Sequence, residues 1–172
     1  MKKLFLLGLA FSLFLACQTK PQRYFPESAQ TATLMSGIKA YESGDWDTWK
    51  SHFVDTAKIY VNSLKSVSVT DRVKSLQDMT AAMSSYGFNH EKEYIEMVLD
   101  KEDETWVYYW GTHIGTFAAT NKELSIPVHL AVQFIDGKIV EEHVYFDGTS
   151  MNAEFAAIAE AAKANTEAES EE

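Results

Sequence analysis

The strongest constraint on the fold is a long stretch of strand-forming sequence in the second half of the chain. Residues 105–117 and 126–135 are rich in Trp, Tyr, Val and Ile, which are residue types enriched in β-strands. Asp136 and Gly137 come next, and an Asp-Gly pair is preferred in two-residue hairpin turns. Residues 138–147 then predict the returning strand. A sheet of this kind needs a cover for its buried face, so helices are expected elsewhere in the chain.

The first half of the chain supplies those helices. Apolar residues at helical spacing predict a first helix that ends at Gly44 and a second helix, N-capped by Asp45, over residues 46–53. Ser68 begins a third helix, whose apolar stripe is closed by Gly87. The order of helix, helix, strand, helix and then antiparallel strands predicts an α+β fold, in which helices cover one face of a curved sheet.

Residues 1–17 predict an export signal. Two Lys precede an apolar run at residues 4–16, which is shorter than the ~18 residues of a membrane span, and Cys17 follows. Residues 14–17, Phe-Leu-Ala-Cys, resemble the lipobox of bacterial lipoproteins, in which the Cys is acylated and becomes the new N-terminus. We expect a lipoprotein of the cell envelope, anchored in a membrane through Cys17 and facing the periplasm. The alternative is a cleaved signal and a secreted protein.

The remaining sequence predicts one domain. Residues 18–30 indicate a tether, residues 31–159 the domain, and residues 160–172 an acidic, disordered tail. The whole chain has 15 basic and 25 acidic side chains, a formal net charge of -10. This charge disfavours nucleic acid as a partner, because the phosphate backbone would be repelled.

The hairpin register predicts which side chains share a face. If Asp136 and Gly137 form the whole turn, Leu130 pairs with His143 and Val128 pairs with Tyr145. The face defined by these pairs is apolar along the first strand, and the second strand adds three polar side chains to it: His143, Tyr145 and Asp147. An apolar wall with a few polar groups is typical of a small-molecule pocket. The opposite face would carry Ala131, Val140, Val144 and Phe146, which are apolar enough for an interface between two copies.

Three groups of segments, in order along the chain, resemble the SnoaL-like members of the nuclear transport factor 2-like superfamily. Residues 40–47 (Ala-Tyr-Glu-Ser-Gly-Asp-Trp-Asp) and 53–55 (Phe-Val-Asp) resemble the opening helices. Residues 111–115 (Gly-Thr-His-Ile-Gly) resemble the central strand motif, and residues 136–141 with 145–147 resemble the last hairpin. The resemblance extends from about Thr31 to Phe155.

The resemblance implies a cone of curved antiparallel sheet, wrapped by helices around an internal pocket. The superfamily includes polyketide cyclases, ketosteroid isomerase, dehydratases and many proteins that are not enzymes. In the cyclases an Asp on the last strand is a general acid/base, and Asp147 matches that position. His143 stands where many relatives carry Trp.

The candidate catalytic residues are therefore Asp147 as acid/base, with His143 and Tyr145 polarising or orienting a ligand. Each has an alternative role. Asp147 precedes Gly148, Thr149 and Ser150 and can instead cap a helix or shape a turn. His143 can be a hydrogen-bonded wall residue, and Tyr145 a packing residue. The candidate ligand-binding residues are His113, Trp49, Trp110, Leu130 and Val132; the sequence leaves the face of His113 open.

The sequence predicts no metal site and no cofactor. It contains no His-x-His or His-x-x-x-His spacing, and the chain has one Cys. It also contains no Gly-rich phosphate loop. Two functions stay open at this level. One is a pocket for a small, largely apolar molecule with cofactor-free acid/base chemistry, and the other is a non-catalytic binding or homodimeric interaction module.

Overall fold

The computed structural model describes residues 21–170; Cys17 and the predicted export signal lie outside the described residues. The elements, in chain order, are β1 (Tyr24–Phe25), α1 (Ala29–Ser43), α2 (Trp46–Ser51), β2 (Phe53–Val61), α3 (Val69–Ala81), β3 (Met83–Phe88), β4 (Tyr94–Leu99), β5 (Thr105–Phe117), β6 (Glu123–Ile135), β7 (Lys138–Phe146) and α4 (Thr149–Ser170).

All seven strands within residues 21–170 belong to one curved, open sheet with the order β1-β4-β5-β6-β7-β2. Strand β3 pairs with the part of β5 that β4 leaves free. Every pairing is antiparallel except that of β2 with β7, which is parallel. The predicted α+β fold, a curved sheet covered by helices, is confirmed.

Local signals set the end of α1 and the starts of α2 and α3 as predicted. Gly44 ends α1 with φ +68°, a left-handed conformation that Gly adopts at low cost. The Asp45 carboxylate accepts a hydrogen bond from the Thr48 N–H at 3.0 Å and caps α2. The Ser68 hydroxyl accepts one from the Asp71 N–H at 3.1 Å and caps α3.

The core lies between helices α1–α3 and the inner face of the sheet. Four of its side chains are completely buried on β2, β5 and β6: Ile59, Val107, Tyr109 and Val132. Apolar side chains from each of the three helices pack onto this cluster, among them Leu34, Trp49 and Leu76. The helices therefore roof the inner face of the sheet and leave its outer face uncovered.

Three segments differ from the prediction. Helix α3 ends at Ala81 rather than Gly87, because residues 83–88 pair with β5 instead; this long-range pairing overrides the helical apolar stripe. In the predicted tether, Tyr24 and Phe25 pair with β4. The predicted acidic tail continues helix α4 through Ser170, in keeping with the high helix propensity of Ala and Glu.

Candidate functional site

The register of the β6–β7 hairpin decides which side chains reach the helices. The predicted pairs next to the turn are present: Ile135 lies opposite Lys138, and Phe134 lies opposite Ile139. The next pair is Gln133 with Glu141, so Val140 is an extra residue on β7 and forms a β-bulge. The predicted register is wrong beyond this point, because a shift of one residue moves each later side chain of β7 to the other face.

The bulge exchanges the predicted faces of β7. Glu142, Val144 and Phe146 point toward the helices and line a cavity, whereas His143 and Tyr145 point away from it. The predicted inward orientation of His143 and Tyr145 is therefore wrong. The predicted outer interface is also wrong for Val144, which is 4% exposed, and for Phe146.

The outer face holds His143 and Tyr145 in a band of stacked rings. The His143 ring lies 4.7 Å from the Tyr60 ring at an interplanar angle of 8°, and its Nε2 is 2.8 Å from a Glu141 carboxylate oxygen. Tyr145 is 49% exposed. The band continues across the sheet with Trp110 stacked on His129 at 4.5 Å.

Asp147 lies at the start of α4 and outside the cavity lining. Its exposed carboxylate accepts a hydrogen bond from the Thr149 N–H at 2.9 Å. Hydrogen bonds from the Thr149 side chain and from its backbone N–H hold the pKa of Asp147 below its usual range, so the carboxyl group is ionised at neutral pH. The geometry matches the turn-residue alternative and does not place Asp147 where a ligand in the cavity could reach it.

A cavity of about 120 Å³ lies between the three roofing helices and the inner face of β5–β7. Apolar side chains form most of its wall, including Leu34, Ile38, Leu76, Phe88, Leu130 and Val144. An apolar protein cavity of about 150 Å³ binds benzene. The space therefore suits a single-ring or similarly small molecule.

Two opposite charges face this cavity from different elements. Glu142 on β7 is 6% exposed, and its burial raises the pKa of the carboxyl group. Arg72 on α3 also lines the cavity; burial lowers its pKa, and its charge partly counteracts the rise at Glu142. The Nε atom of Arg72 is buried and has no hydrogen-bond partner within residues 21–170.

A hydrogen-bonded pair forms another polar part of the wall. The Tyr41 hydroxyl on α1 lies 2.8 Å from Nε2 of His113 on β5. Burial is the main cause of two pKa shifts here: it raises the pKa of Tyr41 and lowers that of His113 to about 4. At neutral pH the pair is therefore an uncharged phenol and an uncharged imidazole.

His52 adds a further imidazole to the wall. It follows α2, and its Nε2 is buried with no hydrogen-bond partner within the described residues. Burial and the nearby Lys138 both lower its pKa. Like that of His113, its imidazole is therefore uncharged at neutral pH.

His90, Glu42 and Glu93 form a hydrogen-bonded network of ionisable groups next to the Tyr41–His113 pair. His90 contacts two carboxylates, Glu42 at 3.0 Å and Glu93 at 2.9 Å, and these hydrogen bonds raise the pKa of His90. The Tyr109 hydroxyl donates to the same Glu93 oxygen at 3.0 Å. Glu42 is next to Tyr41 in sequence, and its charge partly offsets the effect of burial on the pKa of His113.

The predicted ligand-binding residues divide between three places. His113, Trp49 and Leu130 line the cavity. Trp110 lies on the outer face and is 42% exposed. Val132 is fully buried in the core and is not part of the cavity wall.

Sequence reasoning missed Tyr41, His52, Arg72 and Glu142 as cavity residues. A signal for Arg72 exists, because it lies four residues before Leu76 and seven before Met79, on the apolar side of α3. A signal for the bulge also exists: adjacent Ile139 and Val140 interrupt the alternation of apolar and polar residues. Tyr41 also has a signal, because it lies on the same helical face as Leu34 and Ile38, whereas His52 has none and lines the cavity through packing between distant elements.

Two further classes of site find no support within residues 21–170. No group of three or more His, Cys, Asp or Glu side chains is placed to hold a metal ion. No helix in this part of the chain is both long and apolar enough to cross a membrane.

The fold is that of SnoaL-like proteins of known structure. A candidate polyketide cyclase from Xanthomonas campestris pv. campestris superposes with a TM-score of 0.61 at 14% identity, covering 73% of this chain and 95% of the other. A candidate SnoaL-like polyketide cyclase from Shewanella denitrificans gives 0.58 at 13% identity, covering 76% and 99%. A candidate isomerase from Bacillus subtilis gives 0.58 at 14% identity, covering 74% and 93%.

These structural neighbours show the fold of the domain. No family model and no curated protein sequence matches the chain. Proteins with this fold have unrelated activities, so the fold alone does not define the function, which depends on the side chains of the cavity.

Proposed function

We propose that the cavity binds a small, largely apolar molecule and that the protein catalyses cofactor-free proton transfer on it, as an isomerase, cyclase or dehydratase does. One observation carries the proposal: Glu142 is a buried carboxyl group in the wall of a mainly apolar cavity. Burial raises the pKa of its carboxyl group, and a raised pKa favours a carboxyl group that both accepts and donates a proton.

The chemistry follows from the groups around the cavity. The Glu142 carboxylate takes a proton from a carbon next to a carbonyl group of the ligand, so that a C–H bond breaks and an O–H bond forms. The resulting enolate carries its charge on oxygen, and the Tyr41 hydroxyl is a donor that can stabilise it. Glu142 then returns the proton to another carbon of the ligand. The candidate cyclases and the candidate isomerase among the structural neighbours support this general type.

Hydrogen–deuterium exchange tests the proposal without knowledge of the substrate. Cyclohexanone and 2-cyclohexenone are incubated with the protein in D2O, and NMR follows the loss of the α-protons. We expect exchange above the buffer rate with the wild type and loss of that excess in Glu142→Gln. The matched control is Glu141→Gln, which changes the neighbouring carboxylate on the outer face and retains the excess. Equal exchange by both variants would contradict the proposal.

A ligand retained during purification would identify the substrate class. Native mass spectrometry of the protein isolated from its own host measures the mass of any small molecule it carries. A bound compound that survives Trp110→Ser on the outer face but is lost in Leu130→Trp, which fills the cavity, supports the internal site. A compound lost only in the Trp110 variant would contradict it.

The alternative function is a non-catalytic, homodimeric interaction module. It is supported by the uncovered outer face, where Tyr94, Trp110 and Tyr145 are all at least 42% exposed. Sedimentation velocity tests it: we expect a dimer that Trp110→Ser weakens. A monomer at every concentration tested would contradict this alternative.

We also propose that the protein is held in the cell envelope, facing the periplasm, by acylation of Cys17. The proposal is supported by the Phe-Leu-Ala-Cys sequence at residues 14–17. Uptake of labelled palmitate by the wild type and its loss in Cys17→Ser would support the anchor. Equal labelling of both proteins would contradict it and leave the secreted form as the alternative.

A further inference from the structure

Arg72 is a half-buried cation, and one of its hydrogen-bond donors has no acceptor in the described part of the protein. Its Nε–H is shielded from solvent and has no partner within residues 21–170. A buried N–H without an acceptor is destabilising, and a guanidinium group cannot lose its charge under ordinary conditions. Arg72 lines the cavity, so its positive charge attracts an acceptor bound there.

Glu142 does not fill this role. The two groups influence each other electrostatically, yet they form no ion pair in this part of the chain. The surrounding wall is apolar, which strengthens the attraction between Arg72 and any anion in the cavity. The arrangement leaves a cation in the wall of a mainly apolar cavity without an ion pair to Glu142.

We propose that the ligand of this cavity is a small carboxylic acid bound as its anion, with its carboxylate on Arg72 and its apolar part against the aliphatic and aromatic wall. This inference rests on the proposed function and names the substrate class of the same site. Guanidinium and carboxylate groups match in geometry and form charge-assisted hydrogen bonds. The cavity volume of about 120 Å³ limits the apolar part to about one ring.

A bound carboxylate also changes the state of Glu142. Two negative charges beside one cation in an apolar site disfavour each other, so ligand binding favours the protonated form of Glu142. The titratable and charged groups around Glu142 are Arg72 on α3, Tyr41 on α1, His52 after α2, His113 on β5, and His143, its neighbour on β7. Among them Arg72 is the cation at neutral pH that lines the cavity.

Isothermal titration of the full-length protein with benzoate, benzamide and benzyl alcohol tests the inference. The three probes share one ring and differ in charge. We expect benzoate to bind about tenfold or more tightly than either neutral probe at neutral pH. The formal net charge of -10 would repel benzoate, so a preference for the anion cannot arise from the overall charge.

Variants on α3 assign the effect to the cavity. Arg72→Met retains an unbranched apolar stem without the guanidinium group, and it is expected to remove the preference for benzoate while leaving benzyl alcohol binding within about twofold. Lys74→Met is the matched control, because it removes a charge from an exposed position two residues away. The inference is overturned if both variants weaken benzoate equally, or if wild type binds benzyl alcohol as tightly as benzoate.

A further variant covers the case in which Arg72→Met does not fold. Glu142→Gln keeps Arg72 and removes the competing negative charge, so benzoate should bind more tightly at neutral pH, with benzyl alcohol unchanged. Weaker or unchanged benzoate binding would overturn the inference. The proposed function fails separately: if no probe binds, the small-molecule site itself is wrong, whereas tight binding of the neutral probes alone contradicts only the carboxylate.

Discussion

Acid should destabilise this protein through His113. The imidazole is 8% exposed, and its burial lowers the pKa from 6.5 to about 4. Above pH 6.5 the folded and unfolded states both hold it neutral. Between pH 6.5 and about 4 the unfolded state binds a proton that the folded state does not, so the free energy of unfolding falls as the pH falls. Below the folded pKa both states are protonated, and the loss is complete.

The size of the effect follows from the shift in pKa. Each unit corresponds to about 1.4 kcal/mol, so the displacement from 6.5 to about 4 makes His113 responsible for a loss of about 3 kcal/mol. That is a large part of the 5–15 kcal/mol, roughly, by which most domains are stable. Most of the loss is expected to be complete by about pH 4.5.

Urea denaturation of wild type and His113→Gln across this pH range measures the effect. Gln retains a hydrogen-bonding side chain and does not titrate, so the variant should lose most of the dependence on pH. The comparison isolates one residue, because His52, whose pKa is lowered, and His90, whose pKa is raised, are present in both proteins.

Tyr41→Phe separates burial from hydrogen bonding. It removes the 2.8 Å hydrogen bond but leaves the imidazole buried, so the dependence on pH should persist. If His113→Gln retains the wild-type slope, the reasoning is refuted, because the imidazole would then not be the group that resists protonation.

Two glycine substitutions test the packing. Gly111→Ala should cost about 1–3 kcal/mol in urea denaturation, because its Cβ would overlap the hydroxyl and ring of the fully buried Tyr109. Gly37→Ala is its control: the Cβ meets only an ordinary contact at 3.5 Å, and Ala favours helix α1, so a loss as large as that of Gly111→Ala would contradict the packing argument. Gly44→Ala should lower the melting temperature by the equivalent of about 1–2 kcal/mol, because φ is +68° at the end of α1. Gly44→Asn should cost less, and equal costs would contradict the backbone argument.

The predictions that held depend on interactions between residues close in sequence. Strand β5 has the predicted bounds, and the Asp136-Gly137 turn joins the predicted hairpin. The helix caps at Asp45 and Ser68 also lie where the sequence places them. Each of these features is decided by side chains within about four residues of the backbone groups that they satisfy.

The predicted arrangement of the site is wrong because a β-bulge on β7 changes the face on which every later side chain of that strand lies. Counting from the turn assumes unbroken alternation, and the bulge at Val140 breaks it. The side chains of His143 and Tyr145 therefore lie on the outer face, and the side chain of Glu142 lines the cavity. The bulge preserves the burial of Ile139 next to the turn and of Val144 further along the strand, which strict alternation would place on opposite faces.

The sequence by itself determined the α+β class, the helix caps at Gly44, Asp45 and Ser68, the long strands and their hairpin turn, because these depend on local propensity and on hydrogen bonds within a few residues. Only the tertiary structure decided which charged groups share the cavity. Arg72 and Glu142 are 70 positions apart in sequence, and they line the same cavity because the fold brings α3 over the inner face of the sheet. Burial is what gives such groups their shifted pKa values, and burial is a property of the packed chain rather than of any segment of it.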